Sequence, residues 1–221
     1  YALASHEGDP FAIRFMAEGF NAFVLNYSIG KPKSDFPRPL TDVSAAIVHI
    51  RENAEKYCID PDKLFVIGSS AGGYLAGAIG AMWHCDFAKS SPDMEYGANR
   101  PNGVILTYGV VSTREDIRCF CFDNLVTEEY GEEAVSLERY VDEKSAPAFI
   151  WHSFPDECVD PRNALVLADA YVRAKVPCEL HLYSDGAHGI GLGVPGEGNS
   201  EFYPRAHRWA DEAAEWAIGL Y

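Results

Sequence analysis

Residues 63–76 read Lys63-Leu64-Phe65-Val66-Ile67-Gly68-Ser69-Ser70-Ala71-Gly72-Gly73-Tyr74-Leu75-Ala76. Four consecutive apolar residues, Leu64 to Ile67, predict a short strand buried on both faces. Small residues follow at once, and a run dominated by Ala and Gly predicts a helix over about 71–86. A strand that leads through a tight turn into a helix is the unit from which parallel sheets are built. The turn itself satisfies the pattern G-x-S-x-G, in which the middle serine, Ser70, is lifted above the end of its strand. Glycine–serine turns are common, so an ordinary turn fits the pattern too. The flanking strand and helix favour Ser70 as a nucleophile. Ser69 is the competing register, but it lacks glycines two residues away on both sides.

The same alternation extends in both directions. Upstream, residues 9–19 predict a helix and Phe20–Tyr27 a strand, with Pro32, Pro37 and Pro39 marking an irregular loop. Val43, Ala46, Ile47, Ile50, Ala54 and Tyr57 then fall at three- and four-residue steps on one helical face. Downstream, strands are predicted at Gly103–Tyr108, Ala148–His152 and Cys178–Tyr183. Helices are predicted at 161–174, where Pro161 suits the first helical position, and at about 204–219. The expected fold class is therefore α/β, a mostly parallel sheet flanked by helices on both faces. Only residues 112–145 interrupt the rhythm. They are rich in Asp and Glu yet carry Ile117, Phe120, Phe122, Leu125, Val126 and Leu137, and read as a cap-like insertion of short helices over one sheet edge. No repeat or low-complexity linker divides the chain, so 1–221 reads as a single domain.

Composition narrows the function. The 221 residues are 48% hydrophobic and 23% charged, with 18 basic against 33 acidic side chains and a formal net charge of −15. A surface this acidic repels phosphate backbones and anionic lipid, which argues against nucleic-acid and membrane partners. No run of ~18 apolar residues suggests a spanning helix. The six cysteines, at positions 58, 85, 119, 121, 158 and 178, are spread thinly. Cys119 and Cys121 flank one residue, which is neither a CxxC redox pair nor good metal spacing, so the thiols read as buried or incidental. No basic-then-apolar leader is visible, and a cytoplasmic address is the expectation.

A serine hydroxyl needs a base to take its proton. Of the seven histidines, His49, His84 and His207 fall in or near helices, His152 and His181 in strands, and His6 near the start. His188 differs: Ser184-Asp185-Gly186-Ala187-His188-Gly189 forms a glycine-bearing loop just beyond a strand. A surface-loop histidine is the competing reading. The base in turn needs a carboxylate to hold its tautomer. Asp156, directly after the Ala148–His152 strand, is the favoured candidate, with Glu157, Asp160 and Asp185 as rivals and a turn-capping aspartate as the alternative role. All three groups follow strands, so in a parallel sheet they share the carboxyl edge, where such folds bind ligands.

With these residues in place, the chain resembles the α/β-hydrolase superfamily, and within it small carboxylesterases of the acetyl and xylan esterase type. The resemblance covers nearly the whole chain. It rests on Gly19–Tyr27, on Ile59–Ala76 (its most specific part), on Pro147–His152, and on Val176–His181 leading to Gly186-Ala187-His188-Gly189. The chain order Ser, Asp, His is that of this superfamily. The resemblance implies a Ser70, Asp156 and His188 triad, an oxyanion held by the backbone N–H of Ala71, an acyl-serine intermediate, and no metal or organic cofactor. It also marks a departure. Similar enzymes carry a His-Gly-Gly-Gly-Tyr type loop after an early strand, and Tyr1 stands where that loop would be ending. Only the Ala71 donor is therefore assignable, and losing one such donor costs ~2.7–4 kcal/mol of transition-state stabilisation. The strand before that loop would lie between those at 20–27 and 63–68, so the expectation is an N-terminally incomplete hydrolase.

The expected function is hydrolysis of short-chain acyl esters, with acetyl esters of carbohydrates as the expected substrate class. Two readings compete. One is a serine peptidase resembling prolyl oligopeptidase catalytic domains, and the other is a non-catalytic ligand-binding relative of the fold. Trp83, Trp151 and Tyr74 would suit sugar stacking, but their apolar surroundings favour core packing.

Overall fold

The computed structural model describes residues 3–196 and 201–221; Tyr1 lies outside them. Among these residues four parallel strands, β1 (Phe65–Ser69), β2 (Gly103–Thr107), β3 (Ala148–Ser153) and β4 (Cys178–Tyr183), form one sheet in the order β1-β2-β3-β4. The registers run Phe65 opposite Gly103, Val104 opposite Ala148, and Ala148 opposite Cys178. Among the described residues six α-helices accompany the strands: α1 (Asp9–Ala17), α2 (Arg38–Glu52), α3 (Ala54–Tyr57), α4 (Ala71–Met82), α5 (Arg162–Ala174) and α6 (Trp209–Gly219). The expected α/β class with helices on both faces is the observed one.

The alternation of side chains along the central strands divides the core in two. Val104, Leu106, Ala148 and Ile150 point to one face and pack with Leu40, Val43 and Ile47 of α2, Leu75 and Ile79 of α4, and Leu167 and Tyr171 of α5. Ile105, Phe149 and Trp151 point to the other, where Phe11 and Phe15 of α1 meet Trp209, Ala213 and Ala214 of α6. Strands β2 and β3 are buried along their whole length, whereas β1 and β4 are partly exposed, as edge strands are. Each large apolar side chain withdrawn from water in this way contributes about 1.5–3 kcal/mol. Trp83, Trp151 and Tyr74 are core residues, each no more than 4% exposed.

Three expectations are corrected. Phe20–Tyr27 forms no strand. Among the described residues no strand lies beside it, so Phe23, Val24 and Leu25 are exposed rather than half-buried on a pleat. Strand preference expresses fit to a packed, paired surface and has nothing to act on without one. The helix expected to reach residue 86 ends at Met82. There the side-chain amide of Asn99 donates to the carbonyls of Trp83 and Ala88, and a single 3-10 turn follows at Asp86–Ala88. The final helix begins later than expected, as a 3-10 turn at Ala206–Arg208 running into α6.

Residues 112–145 contain short 3-10 turns at Phe120–Asn124, Glu132–Val135 and Leu137–Arg139. Phe122 packs edge-on against Tyr74 of α4, with ring centroids 5.8 Å apart. Asn163 at the start of α5 ties the segment down. Its carbonyl oxygen accepts the N–H groups of Val111 and Ser112, and its amide donates to the carbonyl of Ile117.

Candidate active site

The turn after β1 is as tight as its residues permit. Ser70 adopts φ 52° and ψ −114°, a conformation that L-residues with a Cβ rarely adopt. A Cβ on Gly68 would lie 2.1 Å from the carbonyl oxygen of Gly72, and one on Gly73 would lie 2.8 Å from the Cα of Gly109. Glycine is thus required at 68 and 73 for backbone to approach backbone. A Cβ on Gly72 would meet nothing within 4 Å, so the second glycine of G-x-S-x-G is not demanded by space. Ser70 N–H donates to the carbonyl of Thr107, which ties the turn to β2 (3.0 Å). Ser69 is buried and accepts a hydrogen bond from the Thr107 hydroxyl, which removes it as a competitor.

His188 sits in the loop after β4, and the chain brings it to Ser70 across 118 positions. The Ser70 hydroxyl lies 2.8 Å from His188 Nε2, and His188 Nδ1 lies 2.8 Å from Asp156 Oδ2. Because an ionised carboxylate only accepts, Nδ1 carries the proton and Nε2 presents its lone pair to Ser70. The loop is held from several sides. Trp209 Nε1–H donates to the carbonyl of Gly191, His6 Nε2 pairs with the carbonyl of Gly189, and Tyr108 packs edge-on against the His188 ring at 5.2 Å. The Tyr108 hydroxyl in turn donates to Glu7.

Asp156 follows β3, its side chain fully buried. Oδ1 accepts the backbone N–H groups of Cys158 and Val159, both at 2.9 Å. Oδ2 accepts from His188 and also from His152 Nε2 at 3.1 Å. Burial alone would push this carboxyl up. The hydrogen bonds from His152, His188 and Val159, with the charge of His188, outweigh burial and hold it well below the usual carboxylate range. The rival carboxylates are engaged elsewhere. Asp185 accepts the N–H groups of Arg205 and Ala206, Asp160 pairs with Arg162, and Glu157 is exposed.

Ala71 opens α4, so its N–H is among the first-turn donors that no intrahelical carbonyl satisfies. A cavity of about 310 Å³ adjoins the Asp156 end of the array, lined by Arg118, Cys119, Glu157, Cys158 and Asp160 among others. Among the described residues no group of three or more His, Cys, Asp or Glu side chains is placed to hold a metal ion. No helix among them is long and apolar enough to cross a membrane.

Sequence reasoning passed over three neighbours of the array: His152, Tyr108 and Trp209. His152 had a usable signal, since it lies at the end of the predicted strand, four residues before Asp156. Tyr108 had a weaker one, as the first residue after β2. Nothing local marks Trp209, which reaches the loop from α6.

Comparison with known proteins places the chain in a family. The chain is 34% identical over 206 residues to an endo-1,4-β-xylanase B of Butyrivibrio fibrisolvens, covering 90% of this chain and 31% of that protein. It is 29% identical over 208 residues to an acetylxylan esterase of Xylanibacter ruminicola, covering 88% and 40%. The chain thus spans less than half the length of either relative. Among solved structures, an acetyl ester-xyloside bifunctional hydrolase from Caldicellulosiruptor lactoaceticus superposes with a TM-score of 0.80 at 29% identity, covering 98% of this chain and 78% of that one. The BD-FAE family matches residues 4–171, well over half of the sequence. The chain belongs to the BD-FAE family and has the α/β-hydrolase fold.

Proposed function

We propose that the protein is a serine carboxylesterase acting on short-chain acyl esters, with acetyl esters of carbohydrates as the substrate class. The observation that carries this reading is the continuous hydrogen-bonded array from Ser70 through His188 to Asp156 at the carboxyl edge of the sheet. In the proposed reaction, His188 Nε2 takes the Ser70 proton as Oγ attacks the ester carbonyl carbon, and Asp156 stabilises the imidazolium that forms. The oxyanion of the tetrahedral intermediate lies against the Ala71 N–H, at the positive end of α4. His188 then protonates the departing alcohol, leaving an acyl group on Ser70. Water, deprotonated by the same nitrogen, attacks that acyl carbon and releases the acid.

The substrate class rests on the names of the similar proteins above, two of which refer to acetyl esters or acetylxylan. The acidic segment 112–145 reads as a cap-like part of one domain and forms a wall of the substrate site, whose charge disfavours anionic substrates. The test is turnover of an aryl acetate by wild type and Ser70→Ala. Loss of at least ~10³-fold in kcat, with folding retained, is expected. Turnover unchanged in Ser70→Ala would overturn the reading, and turnover of peptide amides in preference to esters would replace the substrate class.

A further inference from the structure

His152 is the penultimate residue of β3, with its side chain fully buried. Its Nε2 lies 3.1 Å from Asp156 Oδ2 and 2.9 Å from the carbonyl oxygen of Val159. Both neighbours only accept, so Nε2 carries the proton and is shared between them. The other ring nitrogen, Nδ1, is buried without a partner, which fits a ring whose single proton sits on Nε2. Asp156 therefore receives four donors on two oxygens: the N–H groups of Cys158 and Val159 on Oδ1, and two imidazoles on Oδ2. One carboxylate oxygen bridges two histidines with different surroundings. His188 is partly exposed and faces Ser70, whereas His152 is sealed in the core and faces nothing that reacts.

We propose that His152 is a positioning residue for the reaction proposed above, holding Asp156 Oδ2 toward His188 and limiting how strongly that oxygen attracts the His188 proton. The inference rests on the Ser70–His188–Asp156 reading. The physical reason is that the charge on a carboxylate oxygen is divided among its donors. With the His152 N–H removed, Oδ2 interacts more strongly with an imidazolium at His188 and favours the protonated base. The carboxylate also loses one of the two contacts that set its rotation about the Oδ1 anchor. The proton on His152 does not move during the reaction. Other titratable groups facing the pair are Cys119 and Tyr108 toward His188, Cys158 toward Asp156, and Asp160 toward His152. All four are unchanged in the variants below.

The test compares His152→Phe, which keeps a ring and removes the donor, with His152→Gln, which keeps a side-chain N–H. Each is assayed for kcat, KM and the pH dependence of kcat/KM on an aryl acetate, with folding followed by circular dichroism. In His152→Phe the acid limb is expected to move up by ~0.5–1 pH unit. Its kcat is expected to fall ~10-fold with KM nearly unchanged. His152→Gln is expected to restore the limb toward wild type. An unshifted limb in His152→Phe, or a His152→Gln limb displaced as far as that of His152→Phe, overturns the proposal. Should His152→Phe not fold, nitrogen-15 shifts of the wild-type ring decide: a proton on Nε2 supports the proposal and one on Nδ1 overturns it. Ser70→Ala separates the two layers of argument. Activity surviving in Ser70→Ala sinks the triad reading itself, whereas an inactive Ser70→Ala beside an unshifted His152→Phe sinks only the role of His152.

Discussion

Ser70 stands at φ 52° and ψ −114°, where a Cβ is strained, and this strain can be measured apart from catalysis. Ser70→Ala and Ser70→Gly both delete the hydroxyl and its hydrogen bond to His188, so both lose the reaction equally. They differ only in the Cβ. A non-glycine residue held in so sparsely populated a region costs ~1–3 kcal/mol. Glycine loses more chain entropy on folding, a penalty of roughly 0.5–1 kcal/mol relative to alanine. The difference leaves Ser70→Gly more stable than Ser70→Ala by about 1 kcal/mol. For a chain of this size that corresponds to a melting point higher by ~2–4 °C. Parallel thermal melts by circular dichroism are the assay, with aryl acetate turnover confirming that both variants are inactive. If Ser70→Gly melts at or below Ser70→Ala, the turn is not strained and the account of why it projects a serine fails.

Three further outcomes follow from the same geometry. Gly68→Ala would force its Cβ against the carbonyl of Gly72, and a displacement of Ser70 near 1 Å is expected to lower kcat/KM ~10²-fold, whereas Gly72→Ala should fold and turn over nearly as wild type. Asp156→Asn presents the wrong hydrogen-bonding partner to His188 and should lower kcat ~10⁴-fold. It should also flatten acid unfolding: the folded carboxyl titrates below its unfolded value of about 3.9, so its stabilisation is complete above that pH and is lost as pH falls toward the folded value. The Cys119 thiol is buried but held below its ordinary value by the hydrogen bond from Cys121, whereas burial pushes Cys85 and Cys178 up, so alkylation of Cys119 should set in at lower pH than that of the other two; peptide mapping against pH reads the order.

The parts of the site legible in the sequence are those whose signal is local. Leu64–Ile67 running into Gly68 marks the turn, and the positions of Asp156 and His188 after strands place all three groups at one sheet edge. The expectation for Phe20–Tyr27 failed because strand-like composition says nothing about whether a neighbour exists to pair with. From the sequence His152 reads as an ordinary strand histidine, because its contact with Asp156 depends on the reversal between Ser153 and Asp156, which returns the chain onto its own strand end. The Trp209 and Tyr108 contacts to the His188 loop join elements far apart in sequence and have no local signature. The thiols read from the sequence as buried or incidental, and Cys119 is buried; its sulfur lies 2.8 Å from that of Cys121, and Cys119 lines the cavity beside Asp156. A spacing of two residues does not reveal that contact, because it depends on the 3-10 turn that begins at Phe120.

The central claim is that Ser70 is the activated nucleophile, and covalent labelling tests it most directly. The account predicts that a fluorophosphonate modifies the protein at one site, mapped by mass spectrometry to Ser70, with labelling lost in Ser70→Ala and strongly slowed in Asp156→Asn. Modification of a different residue, or a Ser70 that stays unlabelled in folded protein, would contradict it.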